Sequence, residues 1–362
     1  MIPQIQPWID GEELEQLKRV IDSTFVTEHK LTEEFEEITK ELTGSKHAIS
    51  MFNGTVALYS CLKALEIGAG DEVIVPNITF IATANAVLMT GAKPVFCEIR
   101  EDTFCLDVDK AEQLITEKTK AIMPVHLYGQ AADMDAIIPF AQKHNLFIVE
   151  DAAQGVGVKF NGKHTGTFGE LGILSYYGNK TITTGEGGIV LTNDDELAKR
   201  CYRLKNHGRD KKGVFVHEHL GFNFSFTEMQ AAIGIAQMKK LPKIIARKNQ
   251  IYEKYKNELV GINGFNPVYI DPRCQPVFWF TSYLSNDVEG LAGFLLDAEI
   301  QTRRFFLPLN QQPCYNGVLD IKGDFSTSKR IYESGISLPS SYLLKDEEQD
   351  LVISKIKEYY SK

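Results

Sequence analysis

The sequence has little of what ties a protein to nucleic acid, to a membrane or to a metal. Basic residues are outnumbered, 39 lysines and arginines against 48 acids, giving a formal net charge of −9 over 362 residues. Such a surface repels phosphate backbones and anionic lipid heads. No apolar run approaches the roughly 18 residues that a membrane span needs. The opening stretch MIPQIQPWIDGEELEQ carries acids where a signal peptide needs a basic flank and an apolar stretch, so a soluble cytosolic protein is expected. The six cysteines (Cys61, Cys97, Cys105, Cys201, Cys274 and Cys314) form no C-x-x-C pair and read as reduced core residues. His217 and His219, in HEH, lack nearby partner ligands, so no metal site is expected. Internal repeats and low-complexity tracts are absent, and only 13 prolines interrupt the chain.

What is present is material for a large core, with 43% apolar residues, and a length that suits two domains. Short β-rich runs alternate with helical patterns. The runs are DEVIVP (71–76), KPVFCEI (93–99), TKAIMPVHL (119–127), NLFIVED (145–151), LGILSYY (171–177) and GGIVLT (187–192). EELEQLKRVID and EEFEEITKEL have the period of surface helices. That rhythm predicts an α/β protein with a mostly parallel sheet covered by helices on both faces. After about residue 240 the texture changes to a long polar helix, then VFWFTSYLS, VEGLAGFLLDAE and QTRRFF. We expect a large domain over 1–245 and a smaller α+β domain over 246–362.

Ligands of open α/β sheets sit beyond the carboxyl ends of the strands, so those positions are where chemistry is sought. NLFIVED ends in Glu150-Asp151; taken alone, this reads equally as the start of a helix capped by Asp151. LGILSYYGNKTITTGEGG places Ser175 in a strand and Lys180 just past it, in a glycine-rich turn that brings the side chain into the crevice. A desolvated lysine amine joins carbonyl compounds, and a carboxylate keeps a pyridine nitrogen protonated. Asn53-Gly54-Thr55 precedes a helical pattern; taken alone it reads as an ordinary Asn or Thr cap, but its free N–H groups can also receive an anion, with Ser175 as a further donor. Phe80 follows another strand, where a ring either stacks on a flat cofactor or fills the core. Together these give a phosphate cup, a stacking ring, an acid and an amine. By contrast there is no G-x-G-x-x-G after the first strand, and GNKT (178–181) lacks the upstream glycine of a phosphate loop, which disfavours nicotinamide enzymes and kinases.

At this point the chain resembles a known family. NGTVAL (53–58), VPNITFIATANAV (75–87), PVHLYGQAADMD (124–135), EDAAQGVG (150–157) and SYYGNKTITTGEGGIVLTND (175–194) are similar to the DegT/DnrJ/EryC1 family of sugar aminotransferases. GFNFSFTEMQAAIGIAQM (221–238) and QTRRFFLPLNQQPCY (301–315) extend the likeness over nearly the whole chain. The resemblance implies an aspartate-aminotransferase-like (type I) fold and pyridoxal 5′-phosphate as cofactor. Lys180 would bind the cofactor covalently and carry the proton, and Asp151 would pair with the pyridine nitrogen. Gln154 would meet the phenolic oxygen, Phe80 the ring, and Gly54, Thr55 and Ser175 the phosphate. Asn223 would reach the phosphate of a neighbouring subunit, which implies a homodimer.

Two positions depart from the family pattern. Relatives usually carry a basic residue in place of Ser225, and often a histidine in place of Asn310. Both lie on the sugar-nucleotide side in the family, which leaves the substrate open. The deoxysugar dehydratases of the family carry histidine in place of the lysine, so Lys180 argues against that branch.

The expected activity is transfer of the amino group of L-glutamate to a nucleotide-linked keto-sugar. The GNKTITTGEGG stretch is most similar to members that aminate C4 of GDP-4-keto-6-deoxymannose. Amination at C3 or C4 of a dTDP- or UDP-linked sugar, or of a keto-octulosonate, stays open. So do a non-catalytic pyridoxal-phosphate-binding regulator and a lyase on the same scaffold; a DNA-binding regulator is opposed by the acidic charge. The diphosphate of such a substrate needs cations, and Arg303 and Arg304 in QTRRFF are the best available pair.

Overall fold

The computed structural model describes residues 1–211, 213 and 215–361. Seven strands form its central sheet, in the spatial order His47–Met51, Gly188–Thr192, Leu171–Ser175, Phe147–Asp151, Thr119–Ile122, Glu72–Pro76 and Lys93–Cys97. From Leu171–Ser175 to Lys93–Cys97 every neighbouring pair is parallel. Gly188–Thr192 alone runs antiparallel to both of its neighbours. All six strands expected from the sequence are present. The unexpected one is His47–Met51, an edge strand paired on one side only.

The inner strands are buried on both faces, which is why EVIVP and GIVLT show no polar alternation. On one face the helix Gly54–Ala64 packs Ala57, Leu58, Cys61 and Leu62 against Val149, Ile173 and Val190. On the other, Phe35 of the helix Lys30–Thr43 meets Ala231 and Ile235 of the helix Glu228–Glu258 and Leu174 of the sheet. Complete burial of a ring such as that of Phe35 contributes about 2–3 kcal/mol. Glu72–Pro76 has later strands on both sides, and this reversal of strand order opens a crevice at the carboxyl ends.

A second, antiparallel sheet follows, of four strands in the order Phe265–Pro267, Thr281–Ser285, Gly335–Leu338 and Arg303–Arg304. The helices Val288–Asp297 and Asp346–Tyr360 cover it through Leu291, Leu295, Val352 and Ile356. Residue 245, where a boundary was expected, lies inside the 31-residue helix Glu228–Glu258. That helix places Ala231 and Ile235 against the large sheet, and Ile251 and Tyr255 in the core of the small one. Nor do the two modules follow chain order. Ile2 joins the small core through its bridge to Ile300, while Leu309 and Tyr315 pack into the core of the large sheet.

Candidate active site

Strand alternation sorts the two acids of NLFIVED. Ile148 and Glu150 face one side and Val149 and Asp151 the other, with the helix Gly54–Ala64. Glu150 is wholly buried and structural. Its carboxylate accepts from the backbone N–H groups of Gly166 at 2.7 Å and Gly169 at 2.8 Å, and meets His126 Nε2 at 2.9 Å. Asp151 opens on the crevice instead. Its Oδ2 accepts from the Thr83 hydroxyl at 2.7 Å and its Oδ1 from the backbone N–H of Ala153 at 3.1 Å. Both oxygens are thus fixed, each with lone pairs left for a partner in the cavity.

Ser175 lies on the same face of the next strand, and the helix Gly54–Ala64 starts against it. A Cβ added to Gly54 would sit 3.3 Å from Ser175 Oγ, so the two residues touch. Asn53 caps the helix, its side chain accepting from Val56 N at 3.1 Å. Among the described residues, no acceptor meets the N–H groups of Gly54 and Thr55, which line the cavity. Gly188, in the antiparallel strand, makes this close approach feasible: a Cβ there would lie 2.5 Å from the carbonyl of Asn53.

These groups share one cavity of about 340 Å³ with Phe80, Gln154, Lys180, Trp279 and Arg303. Phe80 is 55% exposed, which excludes a core role; its ring stands 6.0 Å from that of Phe306. Gln154 accepts from the backbone N–H of Tyr128 at 2.6 Å, which leaves its amide N–H groups as donors to the cavity. Burial pushes the Lys180 ammonium down to about 8; the charge of Asp151 opposes this shift and that of Arg303 adds to it.

Arg303 has its guanidinium 5.2 Å from the Phe280 ring and, among the described residues, meets no carboxylate. Arg304 was expected beside it and is not part of the cavity. Successive residues of a strand point to opposite faces, and Arg304 pairs with Glu289 and lies over the ring of Tyr332 at 4.6 Å. Asn223 is exposed and lies outside the cavity of its own chain. Of the two departures, Ser225 donates to the carbonyl of Lys205 at 3.4 Å. Asn310 is tied to Asn77, accepting from its Nδ2 at 2.9 Å. Thr83, Tyr128, Gly188 and Trp279 were not read from the sequence as parts of the site.

The donor set fits pyridoxal phosphate. Unpaired helix-start N–H groups and the Ser175 hydroxyl suit its phosphate, the Gln154 amide its phenolic oxygen, and Asp151 its ring nitrogen. The exposed face of Phe80 suits the flat ring. When bound, this cofactor supplies a carbonyl that takes up an amino group and a ring that draws electrons from the adjacent carbon. The work left to the protein is local. Asp151 would hold a proton on the ring nitrogen, and Lys180, whose lowered basicity leaves part of it uncharged near neutrality, would give and take protons through Nζ.

What separates this rim from an ordinary nucleotide crevice is the lysine. A desolvated amine near a fixed carboxylate suits a carbonyl compound seated between them. The protein is a pyridoxal-phosphate-dependent transaminase of the aspartate-aminotransferase fold. More narrowly, the chain belongs to the DegT/DnrJ/EryC1/StrS aminotransferase family, whose model matches residues 7–357. It is 38% identical over 370 residues to GDP-perosamine synthase of Vibrio cholerae, with 100% of each chain covered. It is 43% identical over 223 residues to the UDP-N-acetyl-3-dehydro-α-D-glucosamine 3-aminotransferase of Acidithiobacillus ferrooxidans, covering 61% of this chain and 60% of that one. Among solved structures, DesV of S. venezuelae matches with a TM-score of 0.94 at 32% identity, over 99% of this chain and 100% of DesV. The sugar aminotransferase activity expected from the sequence therefore stands. Among the described residues, no helix is long and apolar enough to cross a membrane.

Proposed function

We propose that the protein transfers the amino group of L-glutamate to C4 of GDP-4-keto-6-deoxymannose, forming GDP-perosamine. The observation that carries this reading is the likeness to GDP-perosamine synthase along the whole of both chains. The cavity is compatible with it. Arg303 offers a guanidinium, unpaired by any carboxylate among the described residues, to a diphosphate. Phe80 and Phe306 offer an apolar wall to the sugar. The enzyme acts as a cytoplasmic homodimer in which Asn223 reaches the phosphate of the partner's cofactor, and its product feeds O-antigen assembly. The exposure of Asn223, away from its own cavity, supports a role in trans.

A second reading, amination at C3 of a UDP-linked sugar, is favoured by the higher identity to the Acidithiobacillus enzyme, although over a shorter stretch. A panel of GDP-, dTDP- and UDP-linked 3-keto and 4-keto sugars, each incubated with glutamate, separates the two. The proposal expects an aminated product, read by mass, from GDP-4-keto-6-deoxymannose in preference to the rest. Preference for a 3-keto UDP-sugar overturns it, and turnover with alanine or aspartate but not glutamate overturns the donor.

A further inference from the structure

Transamination leaves its lysine unattached for part of every cycle. Once the amino group is on the cofactor, Lys180 is free, and it has to stay close to the carbon it will serve next. In the structure the unbound side chain lies with Nζ 4.0 Å from the centroid of the Trp279 ring. Among the described residues no salt bridge joins Lys180 to Asp151 or to any other carboxylate.

The indole is held from several directions. Its Nε1–H donates at 2.7 Å to the carbonyl of Asn179, the residue before the lysine. Its ring stacks on Phe280 with centroids 3.8 Å apart. Its backbone carbonyl accepts at 3.1 Å from Lys248, a buried lysine of the long helix that also donates to the carbonyl of Ser340 at 2.9 Å. The segment leading to Trp279 lies against Gly129, where φ is +87° and a Cβ would strike the carbonyl of Val277. Trp279 is therefore a fixed wall rather than a mobile side chain, and it packs in a core shared with Ile122 and Ile148 of the main sheet.

We propose that the face of Trp279 is the resting place of the unattached Lys180 ammonium, so that Trp279 is a positioning residue for the lysine and Lys248 its strut. An indole face attracts an ammonium more strongly than other aromatic faces do, and more so where water is excluded. A carboxylate in the same place would hold the lysine harder and keep it protonated, which opposes its return to a carbonyl. An aromatic face retains the charge without locking it. Burial, which pushes the Lys180 ammonium down to about 8, supports the same picture of a loosely held proton.

The inference rests on transaminase chemistry and on neither the donor nor the sugar, and its test uses neither, so its failure would leave the proposed substrate untouched. The chain has two tryptophans, Trp8 and Trp279. In Trp8→Phe protein loaded with pyridoxamine phosphate, Trp279 is the only indole and Lys180 is free. Adding Lys180→Met should then shift the indole emission, because the charge over the ring is gone; superimposable spectra overturn the proposal. The lysine side is read by acylation with acetic anhydride at neutral pH, followed by mass on the Lys180 peptide. Trp279→Leu should raise the rate by roughly threefold to thirtyfold, the factor such a contact is worth, and Trp279→Phe should stay near wild type. An unchanged rate in Trp279→Leu, or a Phe variant as fast as the Leu variant, overturns it. Should Trp279→Leu not fold, the emission comparison still decides.

Discussion

Replacing Arg303 by methionine should move the pH dependence of Lys180 upward. The wild-type ammonium stands at about 8, because its surroundings are dry and Arg303 repels it. At pH 7 this leaves about one side chain in ten as free amine, against about one in three thousand for an ordinary lysine, a gain of roughly 300-fold. Only the amine attacks a carbonyl. Capture of pyridoxal phosphate by the apo-protein should therefore speed up with rising pH through a midpoint near 8 and level off above it. Arg303→Met keeps a long side chain and removes the positive charge that lies over Phe280. A unit charge at a partly solvated site is worth about 1 kcal/mol, so the midpoint should rise by about half to one unit. Capture at pH 7 should slow by roughly threefold to tenfold. Stopped-flow absorbance across pH measures both, with circular dichroism to check the fold. A wild-type midpoint near 10 would show that the pocket is not dry. A midpoint that falls in Arg303→Met would refute the electrostatic assignment.

Three further outcomes are expected. Borohydride treatment of the loaded enzyme should fix the cofactor on the Lys180 peptide, and Lys180→Ala should lose turnover by several orders of magnitude; a label on Lys163 or Lys205 would move the site. Asp151→Asn should depress turnover far more than cofactor retention. Thr83→Val, which removes only the hydroxyl on Oδ2, should do the same by roughly tenfold to a hundredfold. Dilution below the dimer dissociation constant should abolish activity in step with dissociation seen by ultracentrifugation, whereas a fully active monomer would exclude any role for Asn223 in trans.

Most of the sheet was legible because buried parallel strands are short, apolar and bounded by turn residues, as EVIVP and LGILS are. HAISM is as short, but it begins with a polar residue, pairs on one side only and carries Ser50, whose hydroxyl donates to Glu36 at 2.6 Å. No apolar run marks such a segment, although Ala48 to Met51 are buried. The domain boundary was hard to place for a different reason. Composition does shift near residue 240, yet the physical joint is a single helix with each end in a different core. A sequence marks where texture changes, and a helix can carry one texture across two modules without a break.

The site was legible where a residue's own chemistry is unusual for its position: a lysine in a glycine turn, an acid at a strand end, an unpaired helix start. It was illegible where the role comes from tertiary placement. Arg303 and Arg304 form one basic doublet in sequence, but the pleat of a two-residue strand sends one to the cavity and the other to Glu289. Thr83 is an ordinary helical threonine until the fold brings it to Asp151. Trp279 lies about a hundred residues beyond Lys180 and belongs to the second sheet's approach, so no local pattern joins them. What reaches the lysine from that distance is not another charge but a wall, and this fits the division of labour in the pocket. The main sheet fixes the groups that would hold the cofactor and move protons, which lie just past its strand ends or at a helix start. The C-terminal third of the chain supplies Trp279, Arg303 and Phe306, which line the cavity beside the amine and limit what can lie next to it. Substitutions in the first set should therefore abolish chemistry, whereas substitutions in the second should retune its pH range and its choice of substrate.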